Sequence, residues 1–253
     1  MLTAPVHALN HSEEPKTRAP VSAPDYVFLH IILIPAVLAA TAWCVQYGPL
    51  DMSLAERLWH PVTAPTPLDH SVWLDVIGHQ AARAIPIFIG VFAFIGGLLP
   101  SLRPWRAILL TLAGCMVVGP VLINAMKNFT SQHCPAQIRE FGGIVSYAVD
   151  RSAPFWAASR AAAGRCLPSG HAGGGYALLA LYFAGWAAGR PAWRWSGLAV
   201  GVMAGVLFSV VRMMQGAHFA SATLWSATID WTVCAVAFAP LLCRRQKASD
   251  SVP

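Results

Sequence analysis

Residues 107–126 read AILLTLAGCMVVGPVLINAM, and Lys127 follows directly. Twenty residues pass without a charge, which is the length a helix needs to cross about 30 Å of hydrocarbon at about 1.5 Å per residue. The rest of the chain has the same character. Of 253 residues, 56% are hydrophobic and only 11% are charged, whereas soluble domains carry about a quarter charged residues. This composition excludes a soluble domain and places the chain in a bilayer. The net charge of +6 does not point to nucleic acid, because the basic residues are scattered near the ends of apolar runs, where they anchor helices.

Five more runs resemble the first: Tyr26–Val45, Ala84–Leu99, Ala172–Ala188, Trp195–Met214 and Thr223–Leu242. Together the six predict an all-α integral membrane six-helix bundle. The runs at 84–99 and 172–188 are the shortest. Gly and Ala inside the runs let neighbouring helices approach closely. Residues 1–25 are polar and proline-bearing and read as a flexible cytoplasmic tail. The first apolar run starts too late for a secretory signal, so it reads as a retained span. Residues 26–242 form the predicted six-span catalytic domain, with loops 46–83 and 127–171 on the outer face. Residues 243–253 form a basic cytoplasmic tail.

Lys and Arg set the orientation. With both termini in the cytoplasm, the inside segments hold Lys16, Arg18, Arg103, Arg106, Arg190, Arg194, Arg244, Arg245 and Lys247. That arrangement gathers the polar ends of several spans on the outer face. Lys127 ends one span there. Cys166-Leu167-Pro168-Ser169-Gly170-His171 precedes another. Arg212-Met213-Met214-Gln215-Gly216-Ala217-His218 joins the last two.

Each segment has an ordinary reading and a chemical one. Pro168 and Ser169 suit a helix entry, with Ser169 as the N-cap. The free N–H groups of that first turn favour an anion, and His171 stands where a proton can be handed to a leaving oxygen. Arg212 offers a planar fork of donors to phosphate oxygens, and His218 can act as base or nucleophile. Taken singly, each also reads as a capped helix, a snorkelling cation or an interfacial histidine.

In combination, Lys127, the Pro168-Ser169-Gly170-His171 tetrad and Arg212 with His218 six residues later resemble the type 2 phosphatidic acid phosphatase family. Its three motifs are Lys-x6-Arg-Pro, Pro-Ser-Gly-His and Ser-Arg-x5-His-x3-Asp. The resemblance runs from Lys127 to about Trp225. It implies that His218 takes up the phosphoryl group as a phosphohistidine and that His171 protonates the leaving oxygen. Lys127, Arg212, Ser169 and Gly170 would hold the phosphate oxygens. Neither a metal nor any other cofactor is implied, and the partner would be a phosphorylated lipid in the bilayer. The forms Cys134-Pro135, Phe141-Gly142-Gly143 and Gln215-Gly216-Ala217-His218-Phe219 resemble a bacterial inner-membrane branch similar to lipid A or undecaprenyl pyrophosphate phosphatases and phosphotransferases, with a periplasmic active site.

The chain departs from the motifs twice. Cys134 stands where the first motif has arginine, leaving Arg139, Arg165 or His133 as substitutes. Ala222 stands where the third motif has aspartate, leaving Ser221, Thr223 or a backbone carbonyl to orient His218. Asp230 lies two turns further on, about 12 Å deeper, where a buried carboxylate requires a partner.

Cys134 and Cys166 both fall in the outer loop, where an oxidising compartment favours a disulfide; two free thiols are the other reading. Cys44, Cys115, Cys234 and Cys243 fall in or beside spans and read as small apolar residues. The long segment between Arg139 and Arg165, with Tyr147, Phe155 and Trp156, reads as a substrate lid or a headgroup collar. His60, His70 and His79 are spaced too widely for a compact metal motif. Two competing functions remain. One is a membrane protein that binds or transports a lipid phosphate without turnover. The other is a vanadate-dependent haloperoxidase, which shares these motifs but is soluble.

Overall fold

A computed structural model describes residues 22–59, 72, 76, 80, 82–160 and 162–243. Most of both predicted tails, and His60, His70 and His79, lie outside those residues.

The apolar runs become helices. α1 spans Ala23–Tyr47, with a π-helical stretch at Val27–Leu33, and begins three residues earlier than the sequence suggests. α2, Leu50–Leu58, lies in the loop after α1. α3 spans Ala82–Leu98, and α4 spans Arg106–Met126 after a 3-10 stretch at Pro100–Trp105. In the loop after α4, α5 covers Tyr147–Ser152. α6, Gly170–Tyr176, and α7, Ala180–Ala187, are joined by the 3-10 turn Ala177–Leu179. α8 spans Pro191–Met214 and α9 spans Ala220–Cys243. The described residues contain no named strand, only two isolated bridges at Thr130–Trp156 and Ile138–Val145.

Among the described residues, four helices are long and apolar enough to cross a membrane: α1, Pro100–Met126, α8 and α9. The six-span expectation is therefore met in part. α3 is short, at 17 residues. The 172–188 run is divided by its 3-10 turn and sits at the centre of the fold. It packs against α3, α4, α8 and α9, and nearly all of its residues are buried. Apolar side chains elsewhere face outward: Phe92 of α3 is 72% exposed and Met203 of α8 is 70% exposed. Such a surface is stable against lipid tails rather than water.

Small residues allow the central element to be enclosed. Gly197, Gly201 and Gly205 recur every fourth residue on α8 and so share one face. A Cβ at Gly201 would lie 2.7 Å from the Leu179 backbone nitrogen, and one at Gly205 would lie 2.2 Å from the Tyr176 ring. Close backbone approach of this kind is how helices associate where lipid removes the hydrophobic drive. Below it, Tyr182, Phe183, Trp186, Trp231 and His30 form a ring cluster.

Helix direction then sorts the ends. Trp105, just before α4, and Trp193, at the start of α8, lie 6.3 Å apart between ring centroids. Arg103, Arg106, Arg190 and Arg194 belong to that end. The C-termini of α4 and α8 and the N-termini of α6 and α9 meet at the opposite end.

Candidate active site

α4 delivers Lys127 as the residue just past its last turn. The Lys127 ammonium comes 3.2 Å from where a Cβ on Gly170 would sit, so a glycine is what lets the cation reach the α6 entry. Ser169 caps α6 by accepting the Ala172 N–H at 3.4 Å. Its own backbone is fixed to α9 at both ends: Ser169 N–H donates to the Ala222 carbonyl at 3.0 Å, and the Ser226 hydroxyl donates to the Ser169 carbonyl at 2.8 Å. The Pro-Ser-Gly-His turn is thus fastened to the helix that follows His218.

α8 ends beside it. Gly216 has φ +62°, and a Cβ there would come 2.4 Å from the Trp59 ring. Both facts require glycine at this turn. Arg212 donates to the Gln215 side-chain oxygen at 2.8 Å, and the chain then turns into His218, which is only 5% exposed.

The structure therefore gathers Lys127, Ser169, Gly170, His171, Arg212 and His218. Electrostatics register the convergence. Burial first, then the charges of Lys127 and Arg212, hold the His218 pKa well below its ordinary 6.5; the Cys166 carbonyl opposes the shift and His171 adds to it. Burial pulls the Lys127 ammonium down to about 8, helped by Arg212 and Arg165.

The His218 ring is oriented by a backbone carbonyl, one of the three substitutes for the missing aspartate. Nδ1 lies 2.9 Å from the Cys166 carbonyl oxygen. A carbonyl only accepts, so Nδ1 carries the proton and Nε2 keeps the lone pair. Ser221 and Thr223 are engaged elsewhere. Ser221 donates both its N–H, at 2.9 Å, and its hydroxyl to Asp51, while Thr223 donates to the Ala220 carbonyl at 2.7 Å. Cys166 in turn is disulfide-bonded to Cys134, with 5.1 Å between their Cα atoms.

Of the substitutes for the first-motif arginine, His133 pairs with Asp150 at 2.8 Å. Arg139 is exposed and reaches the Ile144 carbonyl at 3.4 Å. Arg165 alone of the three acts on Lys127.

Sequence reasoning missed a buried acidic support behind the site. Asp51, with no exposed surface, accepts from the first turn of α9 as an N-cap residue would. Arg151 lies 3.5 Å from Asp51, 3.7 Å from Asp150 and donates to the Gln46 carbonyl at 2.9 Å. Burial raises the Asp51 pKa, against the pull of its Ser221 bonds and Arg151. The one sequence hint was a lone acid just past the Gly48-Pro49 turn. The segment between Arg139 and Arg165 packs down onto its neighbours and does not stand free. Phe155 stacks on Trp43 and meets Trp225 edge-on, and Arg151 lies over the Tyr147 and Phe219 rings. Asp230 is also corrected: it is buried against Gly119 and Gly173, and neither carboxylate oxygen hydrogen-bonds to a described residue.

The PAP2 superfamily profile matches residues 108–242, more than half of the chain. The chain belongs to the PAP2 superfamily. Members are phosphatases and phosphotransferases, and the matched stretch contains every residue gathered above. No curated protein and no solved structure matches the chain significantly. Within this superfamily member, Cys134, Cys166 and His218 also bring their ligand atoms within 4.8 Å of one another. The disulfide occupies both sulfurs, so this is not a donor set for a metal.

Proposed function

We propose that this PAP2 protein is a membrane lipid phosphate phosphatase or phosphotransferase that works through a phosphohistidine on His218. The carrying observation is the His218 Nδ1 bond to the Cys166 carbonyl, which reserves the Nε2 lone pair for phosphorus. Nε2 attacks, the bond from phosphorus to the lipid oxygen breaks, and His171 gives its proton to that oxygen. Water or a lipid hydroxyl then attacks the phosphohistidine. His171 takes the attacking oxygen's proton, the N–P bond breaks, and neutral His218 returns. Lys127, Arg212 and the Ser169-Gly170 turn offset the negative charge that builds on the equatorial oxygens.

Lipid is the favoured substrate class because an apolar cleft of about 590 Å³ opens between α3 and α4, lined by Pro86, Gly90, Phe94 and Met116 among others. Its Pro86 end abuts Gly174, three residues beyond His171. A hydrocarbon tail lying there keeps its phosphate at the end of the helices. We place that end at the outer, periplasmic face of a bacterial inner membrane, with both termini cytoplasmic, because Arg103, Arg106, Arg190 and Arg194 lie at the other. Lipid A and undecaprenyl pyrophosphate are the first substrates to try.

The test is a panel of phosphorylated lipids offered to the purified protein in detergent, with free phosphate and new phospholipid both measured. Wild type is expected to turn over at least one. His218→Ala is expected to lose that turnover by 10³-fold or more, on the order of the cost of removing an enzyme nucleophile. Unchanged phosphate release in His218→Ala would refute the mechanism. Lipid binding without turnover in the wild type would favour the binding-protein reading, for which Cys134 and Ala222 are the motive.

A further inference from the structure

The first motif of the superfamily supplies an arginine from the position that is Cys134 here, and the site gathered above has two cations, Lys127 and Arg212. We propose that Arg165 is the third phosphate-binding cation, entering from the Cys166 side of the disulfide to the place the Cys134 position would have filled. The proposal rests on the phosphatase reading of the same site and adds a residue that the motifs do not assign.

The argument is geometric. The Cys134 and Cys166 Cα atoms lie 5.1 Å apart. Consecutive Cα atoms are about 3.8 Å apart, so the Arg165 Cα is no more than about 9 Å from that of Cys134. An arginine side chain covers that offset. Its direction is set by the backbone. Arg165 has φ +62° and is the only non-glycine with positive φ among the described residues. Such a conformation is uncommon for a long side chain and persists where neighbouring structure enforces it. Here the enforcement is visible on both sides: Gly164 N–H donates to the Thr130 carbonyl at 3.1 Å and Cys166 N–H to the Gln132 carbonyl at 3.3 Å. A Cβ at Gly164 would come 2.1 Å from the Gln132 oxygen, so that segment has no room to relax. The carbonyl of Cys166, the residue after Arg165, holds His218.

The side chain is also available. It is exposed and hydrogen-bonds to none of the described residues, unlike His133 and Arg139. Its charge is felt by Lys127. A guanidinium at the mouth, above a half-buried ammonium, gives an arriving phosphate a bidentate contact before it meets the buried histidine.

Arg165→Gly is the decisive variant, because glycine accepts the +62° backbone without strain and removes only the side chain. A fall in function then does not reflect misfolding, which a thermal melt in detergent checks. Two readouts are used: turnover of the best lipid of the panel, and inhibition by orthovanadate. Arg165→Gly is expected to lower kcat/KM by about 10- to 100-fold, the loss of one charged hydrogen-bonding partner, and to weaken vanadate inhibition by a similar factor. Arg165→Lys is expected to recover part of both. Lys127→Ala is the control. If Lys127→Ala loses both and Arg165→Gly stays within twofold of wild type, the proposal is overturned and the phosphatase reading stands. If Lys127→Ala and His218→Ala also change neither readout, the site reading falls and the proposal with it. If the wild type turns over nothing, vanadate binding followed directly by equilibrium dialysis decides the point, and equal affinity in Arg165→Gly overturns it.

Discussion

Lys127 shows how one residue's surroundings decide what it can do. As the residue after an apolar helix it reads as an ordinary anchor. In the fold its ammonium lies 3.2 Å from where a Cβ on Gly170 would sit, and the charges of Arg212 and Arg165 act on it. Burial and those neighbours disfavour its charged form, so its ammonium loses the proton at about pH 8 rather than near 10.5. The sign of the consequence is fixed. Below about 8 the cation is present and an oxyanion is held; above it the charge is lost and the oxyanion is released. Inhibition by sulfate, whose own charge does not change over this range, is expected to weaken as pH rises from 7 to 9, and Lys127→Arg is expected to remove that slope. A sulfate affinity flat from pH 7 to 9 in the wild type would contradict the assignment. His218 was legible from the motif, and a backbone carbonyl was one of three groups weighed to orient it, but which carbonyl was not legible. The carbonyl of Cys166 is 52 residues away in sequence, and no pattern of side chains announces a backbone oxygen.

At the scale of elements, the Cys134–Cys166 bridge closes a separation of 32 residues and ties the Lys127 segment to the segment that holds His218. Closing a loop of that length removes unfolded-state entropy worth about 3–4 kcal/mol in the chain-entropy account. Cys134→Ser with Cys166→Ser is expected to cost stability of that order, measured by thermal unfolding, and to lower kcat while KM changes less, because the ring loses its alignment. Reductant added to the wild type is expected to reproduce both effects; a reduced protein as active and stable as the oxidised one would refute this role. The same segment does not stand free. Its aromatic residues read as a lid or a collar, and Phe155 packs on Trp43 and Trp225, partners that lie on α1 and α9. Packing onto distant helices is invisible to local sequence. Asp51 was missed for the same reason: its partner, Ser221, is 170 residues away.

For the whole molecule, the central position of the 170–187 segment is the main constraint. A helix with neighbours on four sides needs narrow contacts, and the Gly197, Gly201 and Gly205 face of α8 supplies one of them. Gly201→Val places a Cβ 2.7 Å from a backbone nitrogen of Leu179, an atom that cannot rotate away. The expected cost is about 1–3 kcal/mol or more, read as a lower melting temperature. It should also reduce activity, since the displaced element carries Ser169, Gly170 and His171 at its other end. A variant that melts with the wild type would show that α8 is free to shift.

The sequence alone determined the solvent, the helical class and the order of the apolar runs, and it singled out the histidine and cation candidates. Each of these follows from composition, from the 3.6-residue period or from short motifs read along the chain. Only the tertiary structure decided that one of the runs is a buried central element broken by a 3-10 turn, that a carbonyl stands where a carboxylate is usual, and that Arg165 sits beside the Cys134–Cys166 bridge in a left-handed backbone conformation. Those facts depend on which distant backbones pass within a few ångströms of one another, and that is set by side-chain volume across the whole bundle rather than by any local stretch.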